Sequence, residues 1–203
     1  MPIELRTYDL RPAGAGRFLA GFDVAKQGNG GKLIASWHTE VGQLNQVIQA
    51  WEHASRADAD ASVAALQGPD HLNEEQAKLT LGVSADIMKP APFSPNLPAG
   101  SYGAVYEIRD YQYAPGSLPA VIDMWTTMLP ERLKMSPMLA TWYSEEKTPN
   151  RWVHVWAYAT YEDRVRTRTT AIEQGKWPPK SPPGALLNMR NLLCVPSAFS
   201  PWK

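Results

Sequence analysis

The sequence predicts an α+β fold made of two similar halves in tandem, and three observations carry that prediction. Blocks of the chain recur at a nearly constant offset. Each copy reads as strand, helix, two strands, helix, strand. A proline-rich stretch, Pro90–Gly100, falls between the copies and sets the expected domains at residues 1–99 and 100–203.

The recurrence is visible residue by residue. Glu4, Arg6, Tyr8 and Pro12 match Glu107, Arg109, Tyr111 and Pro115, an offset of 107 − 4 = 103. Asn45, Trp51, Ser55 and Asp58 match Asn150, Trp156, Thr160 and Asp163 at 105, and Pro90–Pro95 matches Pro196–Pro201 at 106. Offsets that drift by three residues over three blocks indicate duplication of a unit of about one hundred residues.

The first strand of each copy, around Glu4–Asp9 and Glu107–Gln112, alternates and then meets Pro and Gly, the mark of a strand entering a turn. Apolar residues at helical spacing then predict helices over Gly14–Gly28 and Ser117–Met135. Two strands follow in each copy, Lys32–Thr39 with Gly42–His53 and Met138–Glu145 with Asn150–Thr160. Helices are expected over Arg56–Gln67 and Glu162–Gly175, with Ser55 and Thr160 as N-caps whose hydroxyls accept from free first-turn amides. Asp58 and Asp163 then sit where the helix dipole favours negative charge. Final strands run over Leu81–Met88 and Leu187–Val195. This order is the split βαβ, ferredoxin-like pattern with an antiparallel sheet.

Composition narrows the function classes. Twenty basic and twenty acidic residues cancel, which argues against a general electrostatic grip on nucleic acid or an anionic membrane. No apolar run approaches the roughly 18 residues of a membrane helix, and no signal peptide is recognisable at the N-terminus. Cys194 is the lone cysteine, so no internal disulfide is possible, and the default expectation is a cytoplasmic protein. Metal binding is not expected, because no H-x-H, H-x-x-x-H or H-E-x-x-H occurs. No Walker loop, G-x-G-x-x-G or G-x-S-x-G is present either, and no cofactor is expected.

Alternation along strands sorts the candidate site residues into faces. Trp152, His154, Trp156 and Tyr158 share one face, expected to meet a second sheet or line a cavity, and Val153, Val155 and Ala157 share the other, expected under the helices. Gln49 stands where His154 stands in the second copy, so at most one half holds an intact His site. His38 and Glu40, two apart on a strand, could form a general acid/base pair, and His154 could act as a base or ligate haem. Arg6 with Tyr8, and Arg109 with Tyr111, could offer a guanidinium and a phenol to an anionic or carbonyl-bearing ligand; alternatively Glu4 and Arg6 pair and fix register. Trp37, Trp51, Trp152 and Trp156 would supply apolar walls. His53 and His71 are expected on the surface, and Arg164, Arg166 and Arg168 on a solvated helix face.

The E-L-R-T-Y opening, the W-H-T-E-V-G-Q-L-N-Q-V stretch leading to Trp51, the S-R-A-D helix start and the later H-V-W and Y-E-D-R segments resemble the NIPSNAP family over essentially the whole chain. The resemblance implies the dimeric α/β-barrel superfamily, in which paired ferredoxin-like units enclose a cavity; its members include cofactor-independent monooxygenases and haem-binding enzymes. It implies no settled activity. Gln49 and the weakened Trp142–Lys147 stretch depart from the pattern. The combined expectation is a barrel cavity for a small organic molecule, with a metal-independent enzyme as one form of it, a non-catalytic interaction module as the alternative, and a haem-binding or monooxygenase-like protein as a third. Exposed sheet edges lead to an expected homo-oligomer.

Overall fold

The computed structural model describes residues 1–146 and 149–203, so Lys147 of the departing stretch lies outside the described residues. The chain divides into two compact units, Met1–Lys89 with Leu193–Lys203, and Pro90–Leu192.

The first unit runs β1 (Ile3–Leu10), α1 (Ala15–Ala20), α2 (Val24–Gln27), β2 (Lys32–Val41), β3 (Gln46–Glu52), α3 (Arg56–Ala65), α4 (Glu74–Leu79) and β4 (Thr80–Pro90). β1 lies between β3 and β4 with β2 beyond β3, all antiparallel, which is the ferredoxin-like strand order. Residues Leu193–Pro196 of the C-terminal strand add to the other edge of β2. The single expected first helix is instead two short ones. Asp23 caps the second, its carboxylate accepting from the amides of Ala25 and Lys26. The helix α4 carries no strong apolar period; a capping box makes it, with Asn73 and Gln76 satisfying each other's backbone amides.

The second unit runs β5 (Val105–Tyr113), α5 (Leu118–Leu133), β6 (Met138–Ser144), β7 (Asn150–Tyr158), α6 (Tyr161–Glu173) and β8 (Leu186–Pro196). β5 lies between β8 and β7 with β6 beyond β7, again the ferredoxin-like order. Ser55 and Thr160 cap α3 and α6 by accepting from the amides of Asp58 and Asp163, as their spacing implied.

Register shows how closely the repeats correspond. Glu4, Arg6 and Tyr8 pair with Trp51, Gln49 and Val47, while Glu107, Arg109 and Tyr111 pair with Trp156, His154 and Trp152. A bulge breaks β2 between Leu33 and Ala35 and β6 between Met138 and Ala140, at matching places. Paired residues share a face, so the Glu-Arg-Tyr row of each first strand lies beside the Trp-bearing row of its neighbour.

That face is the helix-facing one, which corrects the assignment of faces from the sequence. In the first unit Tyr8, Leu10 and Val47 pack with Phe18 of α1 and Leu79 of α4. In the second, Trp152, Trp156 and Tyr158 pack with Leu118, Val121, Trp125 and Leu129 of α5 and Ala171 of α6. On this face the Trp156 Nε1–H donates to His154 Nδ1 at 2.6 Å, while Trp152 Nε1 and His154 Nε2 have no partner among the described residues. Each such ring, taken from water, contributes about 2–3 kcal/mol of burial.

Candidate functional site

The two Glu-Arg-Tyr rows begin with the same residues and end in different chemistry. In the first unit Arg6 is fully buried, and each of its three nitrogens donates a hydrogen bond. Its Nε donates to Glu4 Oε1 at 2.7 Å, Nη1 to the Gln27 carbonyl at 2.8 Å and the Tyr8 hydroxyl at 3.2 Å, and Nη2 to Ser62 Oγ of α3 at 3.2 Å. The other oxygen of Glu4 meets His53 Nε2 at 3.0 Å. Burial pushes the Glu4 carboxyl up, but hydrogen bonds and charge from Arg6 outweigh it and hold the group below the usual carboxylate range. Tyr8 also meets His71 Nε2 at 2.8 Å, and the two rings stack. Gln27 Nε2 donates to the His71 carbonyl and to Gln76 Oε1, each at 2.9 Å. His53 and His71 are therefore buried members of this network, contrary to the surface expectation; short-range sequence shows no partner because theirs are 49 and 63 residues away.

In the second unit the row opens onto a cavity of about 370 Å³. Arg109, Tyr111, Tyr113, Trp125, His154 and Arg168 line it, and Trp177, Pro178, Pro179, Ser181, Leu186 and Met189 complete the wall. Arg109 Nε donates to the Tyr111 hydroxyl at 2.5 Å and Nη1 to Glu107 Oε1 at 2.8 Å. Its Nη2 has no hydrogen-bond partner among the described residues. Glu107 also accepts from Arg164 Nη2 at 2.7 Å and lies 3.7 Å from Arg168. Burial raises the Glu107 carboxyl, and the charges of Arg168, Arg109 and Arg164 more than offset that, leaving it held low. One carboxylate thus faces three guanidiniums, whereas Glu4 faces one and a histidine.

The solvated face expected for Arg164 and Arg168 is corrected by this arrangement. They stand four apart on α6, so both turn inward, while Arg166 pairs with Asp163 on the exposed side. The i, i+4 spacing was the signal available in the sequence.

His154 defines the chemistry of the cavity wall. It is 1% exposed, and burial followed by the charges of Arg109, Arg168 and Arg132 pushes it well below the ordinary histidine range, so it is neutral. Nδ1 accepts from Trp156, which assigns the proton to Nε2, and Nε2 has no partner. The buried ring thus presents an unfilled N–H donor. Axial ligation of haem iron needs a lone pair on that same nitrogen, so the residue does not fit an iron porphyrin.

The remaining sequence candidates lie elsewhere. His38 Nε2 is 3.3 Å from Glu40 Oε1, with side chains 27% and 58% exposed, and neither residue lines the cavity. Trp37 packs against Trp202 on the face opposite His38. The Trp51 Nε1–H donates to Gln49 Oε1 at 3.1 Å, and Arg6 lies over the Trp51 ring. Trp152 stacks on Tyr143 and meets Trp125, and Arg132 lies over Trp156. Tyr113, Trp125, Arg168 and Trp177 are cavity residues the sequence reading did not assign to a site. Cys194 is buried, which pushes its thiol up, with Glu40 adding to the effect.

Two ferredoxin-like repeats in one chain, with this strand order, define an α+β protein of the dimeric α/β-barrel type. Solved structures agree over nearly the full length. An anthrone oxidase-like protein matches at 7% identity over 98% of this chain and 93% of its own, with a TM-score of 0.65. A Lactobacillus acidophilus NCFM protein provisionally named a monooxygenase matches at 12% identity over 97% of this chain and 94% of its own, with a TM-score of 0.62. At these identities the likeness is one of fold. The NIPSNAP family model matches residues 3–95 and again 106–201, and the chain belongs to the NIPSNAP family. A NipSnap homolog of Dictyostelium discoideum is 30% identical over 86% of this chain and 77% of its own length. NipSnap of Drosophila melanogaster is 22% identical over 85% of this chain and 67% of its own. No helix among the described residues is long and apolar enough to cross a membrane.

Proposed function

We propose that the second repeat binds a small organic molecule carrying an oxyanion, a carboxylate or an enolate-type oxygen, in the cavity beneath α5 and α6. The observation that carries this reading is a one-sided hydrogen-bond census. Arg109 Nη2, the Tyr111 hydroxyl proton and His154 Nε2–H are donors without acceptors around one cavity. A ligand that supplies acceptors satisfies all three, and the surplus of guanidinium charge over Glu107 favours a negative one. The volume suits a small ligand. Fixed donors of this kind also stabilise negative charge that develops on an oxygen during a reaction, which is the chemistry the site can supply. His154 acts there as a donor, because its lone pair is engaged by Trp156. His38 and Glu40 take no part.

Native mass spectrometry of the full chain with 1-naphthoate tests the proposal. Uptake of one molecule, abolished in Arg109→Gln and in His154→Leu with folding retained, is the expected result. Equal uptake by both variants, or none by the parent protein at millimolar ligand, would overturn it. Self-association belongs to the same reading: Leu187 and Met189 of β8 are more than half exposed. Light scattering is expected to give a mass above the 22.5 kDa of one chain.

A further inference from the structure

We infer that the first repeat is a self-filled copy of the ligand site, so that the ligand of the second repeat is a flat ring lying against Tyr111 as His71 lies against Tyr8. The inference rests on the binding proposal above and adds the shape of the ligand to its charge.

Tyr8 and Tyr111 are repeat counterparts, and each hydroxyl accepts from its neighbouring arginine. A hydroxyl that accepts in this way keeps its own proton to donate. In the first repeat that proton goes to His71 Nε2, at 2.8 Å, and the two rings are 7° from parallel with centroids 5.8 Å apart. In the second repeat no protein acceptor is present for Tyr111 among the described residues. The chain position matching His71 is Trp177, since 177 − 71 = 106 is the offset of the two final strands. Trp177 does not stack on Tyr111. It turns instead to Trp125 at 4.8 Å and Trp156 at 5.7 Å.

The backbone explains the difference. After His71 the chain forms α4, and the Gln76 of its capping box holds Gln27, whose amide in turn holds the His71 carbonyl. After Trp177 come Pro178 and Pro179, which lack amide protons and cannot build a comparable hydrogen-bonded turn. The imidazole is thus replaced by open volume, with the phenol and its arginine neighbour retained. What fits that volume and completes the missing bonds is a planar ring bearing an acceptor at its edge.

Isothermal titration of the full chain with three matched probes tests this: 1-naphthoate, its saturated counterpart decahydro-1-naphthoate, and neutral 1-naphthylmethanol. Naphthoate is expected to bind about tenfold more tightly than the saturated acid, the worth of one aromatic stacking contact. Equal binding of the two acids overturns the flat-ring inference while leaving the oxyanion reading intact. Naphthylmethanol binding as well as naphthoate, with the saturated acid weak, supports the flat ring and overturns the oxyanion reading. No binding by any probe overturns both. A second measurement addresses the copy itself. In His71→Gly, millimolar imidazole is expected to raise the melting temperature by several degrees and to leave the parent protein unmoved. Imidazole that protects neither protein, or both alike, overturns the idea of a self-filled site.

Discussion

The Glu4-Arg6-Tyr8 row and the Glu107-Arg109-Tyr111 row use the same three side chains in the same register, yet one is an enclosed hydrogen-bonded cluster and the other borders a cavity. In the first, every nitrogen of Arg6 donates to an acceptor from α2, α3 or its own strand. In the second, two further arginines of α6 share the carboxylate, and Arg109 keeps a free nitrogen. The difference teaches that a duplicated constellation changes role through what surrounds it. His71, Gln27 and Gln76 close the first site; Trp177 and two prolines leave the second open. Of the two readings of these rows, the pairing of glutamate with arginine describes the hydrogen bonds of the first, and ligand binding is proposed for the second.

The largest expected effect concerns the closed row. Glu4→Gln leaves Arg6 as a buried charge without a counter-ion and is expected to cost about 3–5 kcal/mol. Glu107→Gln affects arginines whose side chains reach solvent, and is expected to cost less, about 1–3 kcal/mol. Urea unfolding of both variants compares them, and equal costs would break the contrast between closed and open rows.

Acid stability sharpens the comparison next. Burial, then the Arg6 charge, pushes His71 down to about 4 from an unfolded value of 6.5. Between those values the unfolded chain takes up a proton that the folded chain refuses, so stability falls as pH drops through that window. His71→Phe is expected to remove about 2–3 kcal/mol of the loss between pH 7 and pH 4. An unchanged pH profile in the variant would show that His71 is not held neutral. Glu4 and Glu107, held low, weaken the fold at still lower pH, when they finally protonate.

The smallest expected effect tests what the repeats share. Ser55→Ala and Thr160→Ala remove equivalent caps, and each is expected to cost about 1 kcal/mol. Thermal unfolding that separates the two by more than a factor of two would show that the caps, too, have diverged.

Much of the architecture was legible because it rests on local rules and on internal repetition. The matching of Trp51 with Trp156, and of Ser55 with Thr160, located strands and helix starts, since alternation and capping act over a few residues. Gln49 in place of His154 marked a position where the two rows carry different side chains beside the same arginine. The side of the sheet that faces the helices was not legible, because aromatic and aliphatic rows are both buried and only packing distinguishes them. The partners of His53 and His71 were hidden by chain separation. Trp177 gave no site signal because its place is set by a cavity, and the i, i+4 spacing of Arg164 and Arg168 showed a shared helix face without showing that it turns inward.

By itself, then, the sequence determined that there are two repeats, their strand order, their caps and the family, since each follows from local patterning and from likeness between copies. The tertiary structure alone decided which Glu-Arg-Tyr row is enclosed and which borders the cavity of the second unit. The hydrogen bonds of buried Arg6, the tautomer of His154 and a cavity beside Tyr111 arise from residues distant in the chain, and they are fixed only once those residues meet.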